Sequence, residues 1–147
     1  MKVTKPWGYE YLAYENDNVG VWILHIKEGE STSMHCHPNK DTGLIVLEGE
    51  VDISFLNDTH RKKDFDKTMI RKGLFHSSKA VNGDAVLLEI ESPKDKEDLV
   101  RLYDSYGRRF KPYEDNKQEQ ADLSLHEDAQ GYGKKFYFKK VNSREQI

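Results

Sequence analysis

The sequence predicts an all-β domain, with short antiparallel strands closed into a barrel or packed as a sandwich. Three observations carry that expectation. Short runs rich in β-branched and aromatic residues recur between turn signals. No long segment with a 3.6-residue apolar period occurs before residue 95. Around the stretch GESTSMHCHPNKDTGLIVLEGEV, apolar and polar residues alternate among several glycines, which favours strand over helix.

The elements follow in order. YEYLAY (9–14) is a strand closed by the polar turn ENDNVG, and VWILHI (21–26) is a strand closed by KEGE. TGLIVLEG (42–49) leads into EVDISFL (50–56). TMIRKG (68–73) and AVLLEIE (85–91) come later, with VNGD (81–84) as a turn between them. After Arg109 the chain becomes polar and acidic. KPYEDNKQEQADLSLHEDAQGYG (111–133) reads as an extended arm, a short helix or a disordered stretch. KKFYFKKV (134–141) alternates charge with aromatics and suits an edge strand, including one added to a neighbouring subunit. The expected organisation is a barrel over residues 1–110 and a C-terminal extension over 111–147 used in oligomerisation, with a homodimer as the expected assembly.

Length and composition set bounds on function. A chain of 147 residues fits one domain. Lys and Arg total 23 against 26 Asp and Glu, so the basic excess of a general nucleic-acid binder is missing. One cysteine, Cys36, excludes an intrachain disulfide and points to a cytoplasmic setting. MKVTKPWGYEYL has no apolar run of signal-peptide length, and no segment approaches the ~20 apolar residues of a membrane span. The expectation is a protein without nucleic-acid or membrane partners.

The strongest chemical signal is the pair His35 and His37. Residues i and i+2 of a strand point to one face, so both imidazoles can reach one divalent ion. Cys36 then faces the other way, as a small apolar residue packed under the strand.

The spacing around these histidines is similar to the first motif of the cupins, G-x5-H-x-H-x(3,4)-E-x6-G. Gly29, His35, His37 and Gly49 fit it, with Thr42 at the glutamate position. Gly73, Leu74, Phe75 and His76 fit the G-x-x-H core of the second cupin motif. Arg71 stands there where proline is usual, and Ala80 where asparagine is usual. Two flanking segments narrow the resemblance. KPWGYEYL (5–12) and KEDLVRLYDSYGR (96–108) resemble the R/K-P-W-G and E-D-D-I-V-R-x-x-D-x-Y-G-R signatures of the type II phosphomannose isomerases. The resemblance covers about residues 5–109. It implies a single-domain cupin jelly-roll barrel with a polar C-terminal extension.

The resemblance also puts His35, His37 and His76 at metal-ligand positions. Neutral imidazole suits a divalent transition metal such as zinc, iron or nickel, with manganese held less selectively. The alternative is a metal-free cavity whose histidines bond substrate or one another. Thr42 cannot supply the negative charge of the motif glutamate, so a three-histidine site leaves more positions open to water, substrate or oxygen. Asp41 alternates away from the interior.

Sugar-phosphate isomerisation needs a base to move a proton between adjacent carbons and a cation to stabilise the developing oxyanion. Glu89 and Glu91 share one strand face, either lining the cavity or facing solvent. With Lys72 they form the candidate catalytic set. Lys40, Arg71 and Lys72 suit an anionic substrate or a solvated surface equally. Arg101 and Arg108 either clamp substrate or join structural ion pairs. Trp7 and Tyr9 either form a sugar-stacking platform or pack in the core. Trp7, Lys40, Thr42, Arg71 and Arg101 are the candidate substrate contacts. His25 is expected on the outer face, and His60 and His126 in solvent. The resemblance implies a metal-dependent isomerase or epimerase of an anionic sugar, serving surface-polysaccharide supply. Two other functions fit the same residues, a three-histidine iron oxygenase and a non-catalytic sugar-binding cupin.

Overall fold

The computed structural model describes residues 2–103, Tyr106 and residues 117–118. Ten strands run through them: β1 (Lys2–Lys5), β2 (Gly8–Glu15), β3 (Gly20–Ile26), β4 (Met34–Cys36), β5 (Asp41–Ser54), β6 (Thr59–Lys63), β7 (Lys67–Ile70), β8 (Ser77–Ser92), β9 (Val100–Tyr103) and β10 (Lys117–Gln118). No helix occurs among the described residues, so none is long and apolar enough to cross a membrane.

All pairings are antiparallel. The main sheet runs β10-β1-β2-β3-β8-β5-β6, with β7 also paired to β5, and β4 and β9 form a second, two-stranded sheet. The two sheets meet where His35 and His76 exchange backbone hydrogen bonds of 3.0 and 2.8 Å.

The long strands β5 and β8 form the spine, and each changes its inward face partway along. On β5, Thr42, Leu44 and Val46 are buried, then Val51 and Ile53. On β8, Ser78 and Ala80 are buried, then Ala85, Leu87, Glu89 and Glu91. Strict alternation cannot connect even-numbered to odd-numbered positions. Irregularities do so: the β5–β8 register shifts between Val46 and Glu50, opposite Asn82 and Gly83, which carry positive φ. Gly49 is required at this bend. Its φ is +84°, and a Cβ there would lie 2.4 Å from the Asp84 carbonyl oxygen. The bends bring both halves of each strand around one core, where Trp22, Leu24, Val46, Ile53, Ala80 and Leu87 pack together. A smaller cluster of Tyr11, Ala13, Ile23 and Val86 lies on the other face of the β2-β3-β8 region.

One expectation is corrected. VNGD does not end a strand, because β8 runs through it as a bulge. TGLIVLEG leads into EVDIS within one strand, β5. Within the expected extension, Lys117 and Gln118 pair with Val3 and Lys2 of β1. KKFYFKKV (134–141), Arg108 and His126 lie outside the described residues.

Candidate metal centre

His35 on β4, His37 just after it and His76 just before β8 converge on the barrel interior. Their ring centroids are 4.5 to 5.2 Å apart. One ring nitrogen from each lies within 4.8 Å of the others. In each ring Nδ1 bonds a backbone carbonyl: His35 to Ser33 at 2.8 Å, His37 to Asp98 at 2.9 Å and His76 to Leu74 at 2.9 Å. A carbonyl only accepts, so each Nδ1 carries the hydrogen and each Nε2 presents a lone pair. Outer-sphere orientation of this kind is what a metal-binding histidine needs.

Electrostatics favour the same state. Burial pulls all three imidazoles below their usual pKa. For His37 burial and then the Lys40 charge bring the value to about 3. All three are therefore neutral at pH 7, as a ligand must be. His37 Nε2 is buried without a hydrogen-bond partner. An orphaned acceptor aimed at two others fits a divalent transition ion in the donor set. Thr42 Oγ1 is the other buried side-chain nitrogen or oxygen without a hydrogen-bond partner among the described residues. Among the described residues no carboxylate belongs to the group.

The histidines line a cavity of about 50 Å³. A water needs roughly 10–15 Å³ by this measure, so there is room for about three or four small ligands. Across the cavity runs a chain of alternating charge. Lys5 lies 3.7 Å from Glu10, Glu10 lies 3.6 Å from Lys96, and Lys96 lies 2.5 Å from Glu89. Lys96 Nζ also sits 4.6 Å above the Trp22 ring. Burial pushes Glu89 up, but Lys96, Lys40 and His37 outweigh it and hold the carboxyl at about 2. Burial opposes the Lys96 charge too, yet Glu10, Glu89 and Glu91 raise its pKa above the ordinary value. The described lining carries Lys5, Lys40, Lys96 and Arg101 against Glu10 and Glu89.

The flanking signatures build this wall. Gly8 lets β2 pass so close to β3 that a Cβ would lie 1.9 Å from the His25 carbonyl oxygen. The Trp7 carbonyl accepts from Lys27 N at 2.9 Å, and Trp7, Lys5 and Glu10 line the cavity. From the second signature, Lys96 and Leu99 line the cavity. Arg101 Nε donates to Ser33 Oγ at 3.3 Å. The Tyr106 hydroxyl accepts from Ser31 N at 3.2 Å and donates to the Glu30 carboxylate.

The sequence candidates divide accordingly. His35, His37, His76, Trp7, Lys40, Glu89 and Arg101 all line the cavity. Glu91 is buried but does not line it, being held by Lys40 Nζ and by Trp22 Nε1 at 2.9 Å. Thr42 is 1% exposed and also lies behind the wall. Lys72 and Arg71 are not among the residues lining the cavity. They sit on an exposed turn after β7, where Asp41 accepts from Lys72 N at 3.1 Å and lies 3.7 Å from the Arg71 guanidinium. Tyr9 is not at the mouth: it stacks on His25 on the outer face, centroids 4.4 Å apart. Cys36 is buried outside the cavity lining, and His60 is exposed beside Asp58. Sequence reasoning missed Lys5, Glu10, Ser33, Ser78 and Lys96. Lys5, Glu10 and Lys96 were within the two signatures; the serines carried no signal.

No protein-family model and no curated protein matches the chain. Solved structures do. KdgF from a Halomonas species aligns with a TM-score of 0.59 and 15% identity, over 62% of this chain and 84% of that one. A Klebsiella pneumoniae protein with a double-stranded β-helix domain aligns at 0.54 and 17%, over 57% and 75%. CapF, a capsular polysaccharide assembling protein of Staphylococcus aureus, aligns at 0.61 and 17%, over 70% of this chain and 34% of CapF. At these identities the likeness establishes the fold alone, a double-stranded β-helix barrel.

Proposed function

We propose that the protein is a metal-dependent isomerase or epimerase acting on an anionic sugar, with His35, His37 and His76 holding a divalent transition ion. The observation that carries this reading is the convergence of three neutral imidazoles, each with Nδ1 committed to a carbonyl, on a cavity whose opposite wall is charged. When bound, the ion supplies an electrophile for a carbonyl or hydroxyl oxygen.

The chain's own residues supply the rest. Lys96, on the charged wall of the cavity, gives an anionic substrate a cationic contact. The cavity takes the reacting end, and the remainder of the substrate lies in the mouth beside Trp7. For isomerisation, Glu89, ionised and on the wall, is the base that takes a proton from the carbon next to the carbonyl and returns it to the former carbonyl carbon, while the hydroxyl proton of the first carbon passes to the former carbonyl oxygen. Bonded to Lys96 its proton affinity is low. An anionic group that draws Lys96 onto itself raises that affinity, so the base strengthens once substrate is seated.

Hydrogen exchange in deuterated water tests the reading. Metal-loaded protein is expected to introduce deuterium at C2 of at least one member of a panel of sugar phosphates, and Glu89→Gln to lose that exchange while keeping its metal. No exchange across the panel would overturn it.

The grouping of three histidines without a carboxylate among the described residues favours a second reading, a three-histidine iron oxygenase. That reading requires oxygen consumption and no turnover under anaerobic conditions, whereas isomerisation proceeds without oxygen.

A further inference from the structure

The three orienting contacts of the histidine group differ in range. His35 and His76 bond carbonyls two residues away, Ser33 and Leu74. Their rings are fixed by local chain geometry and by the backbone pairing between them. His37 is different. Its Nδ1 bonds the carbonyl of Asp98, 61 residues along the chain. The aim of its lone pair is set by a distant segment, and that segment's position needs its own support.

We infer that Asp98 is a positioning residue of the metal centre, and that residues 93–99 form a strap whose seating aims His37. The inference rests on the metal reading above. The Asp98 carboxylate is fastened to the chain just beyond His37, where Oδ2 accepts from Asn39 N at 2.8 Å and Oδ1 from Asn39 Nδ2 at 3.0 Å. One residue therefore grips both ends of the segment 37–39, by its carbonyl and by its carboxylate. Other contacts hold the strap down. Lys40 Nζ donates to the Asp95 carbonyl at 2.8 Å, and Lys96 reaches Glu89 at 2.5 Å. Immediately after the strap, Val100 begins β9, which pairs with β4. The strap thus ties the charged wall to the one imidazole that lacks a local anchor. Removing the Asp98 carboxylate leaves the carbonyl in the chain but frees it from residues 37–39. The His37 ring then samples orientations in which Nε2 misses the ion, and its tautomer is no longer fixed.

Metal binding to the full chain tests this, with Co(II) alone as the probe. Affinity is read by competition with a chelating dye, and geometry by the d–d absorption of bound cobalt. Asp98→Ala is expected to weaken Co(II) binding roughly 10- to 100-fold, the usual range for lost outer-sphere support, and to shift the absorption band. Asp98→Asn, which keeps an acceptor for Asn39 N, is expected to fall between wild type and Asp98→Ala on both readouts. It carries the test alone if the alanine variant does not fold. A folded variant that binds Co(II) within twofold of wild type and with an unchanged spectrum overturns the inference, even if its melting temperature is lower. A wild-type protein that binds no cobalt overturns the metal reading itself, a result distinct from the first.

Discussion

Lys40 and Glu91 carry opposite charges at 1% and 0% exposure, deeper than most ion pairs lie. Each has further partners: Lys40 donates to the Asp95 carbonyl at 2.8 Å, and Glu91 accepts from Trp22 Nε1 at 2.9 Å. Such a pair adds little net stability against an apolar substitute, but half of it is expensive to remove. Lys40→Met should therefore cost about 3–5 kcal/mol, because Glu91 stays buried without the ammonium that is bonded to it. Urea denaturation measures the loss, and a change below about 1 kcal/mol would contradict the role. From the sequence Lys40 reads equally well as an anion binder or a surface lysine. It borders the cavity, yet its charge is committed to a carboxylate 51 positions away. Long-range pairing of this kind leaves no local trace, which is why the role was not legible.

The strands show a different balance. Alternation and β-branched runs made β2, β3, β5 and the second half of β8 legible. The edge strand β6 was not, because THRKK has no apolar face and takes its order from pairing with β5. The phase switches on β5 and β8 were invisible as well, since a bulge is a relation between two strands. Gly49 is where that relation is most exacting. Gly49→Ala places a methyl 2.4 Å from the Asp84 carbonyl oxygen at φ +84°, so both the local conformation and the neighbouring strand must yield. A destabilisation of about 2 kcal/mol or more is expected, from strain at positive φ together with the displaced backbone. A thermal or chemical melt matching wild type would show that the bend is not held as described.

Across the molecule, the barrel is a device for bringing distant residues to one cavity. Trp7, His35, His76, Glu89 and Lys96 come from the β1–β2 connection, β4, the two ends of β8 and the segment after it. The H-x-H pair and its glycine spacing disclosed the first wall, because strand periodicity alone puts both imidazoles on one face. The opposite wall was hidden, although Lys5, Glu10 and Lys96 stand inside segments that the sequence marked. Lysine and glutamate are commonly solvated, and only closure of the barrel shows that these are not. The same closure leaves His37 Nε2 buried without a partner, facing two more lone pairs. Elemental analysis of protein purified without chelator and then loaded with divalent metals addresses that point most directly. Wild-type protein should hold one transition-metal ion per chain, and His37→Ala, still folded by circular dichroism, should hold far less. A wild-type protein that retains no metal after loading, or a His37→Ala variant with undiminished content, would contradict the assignment.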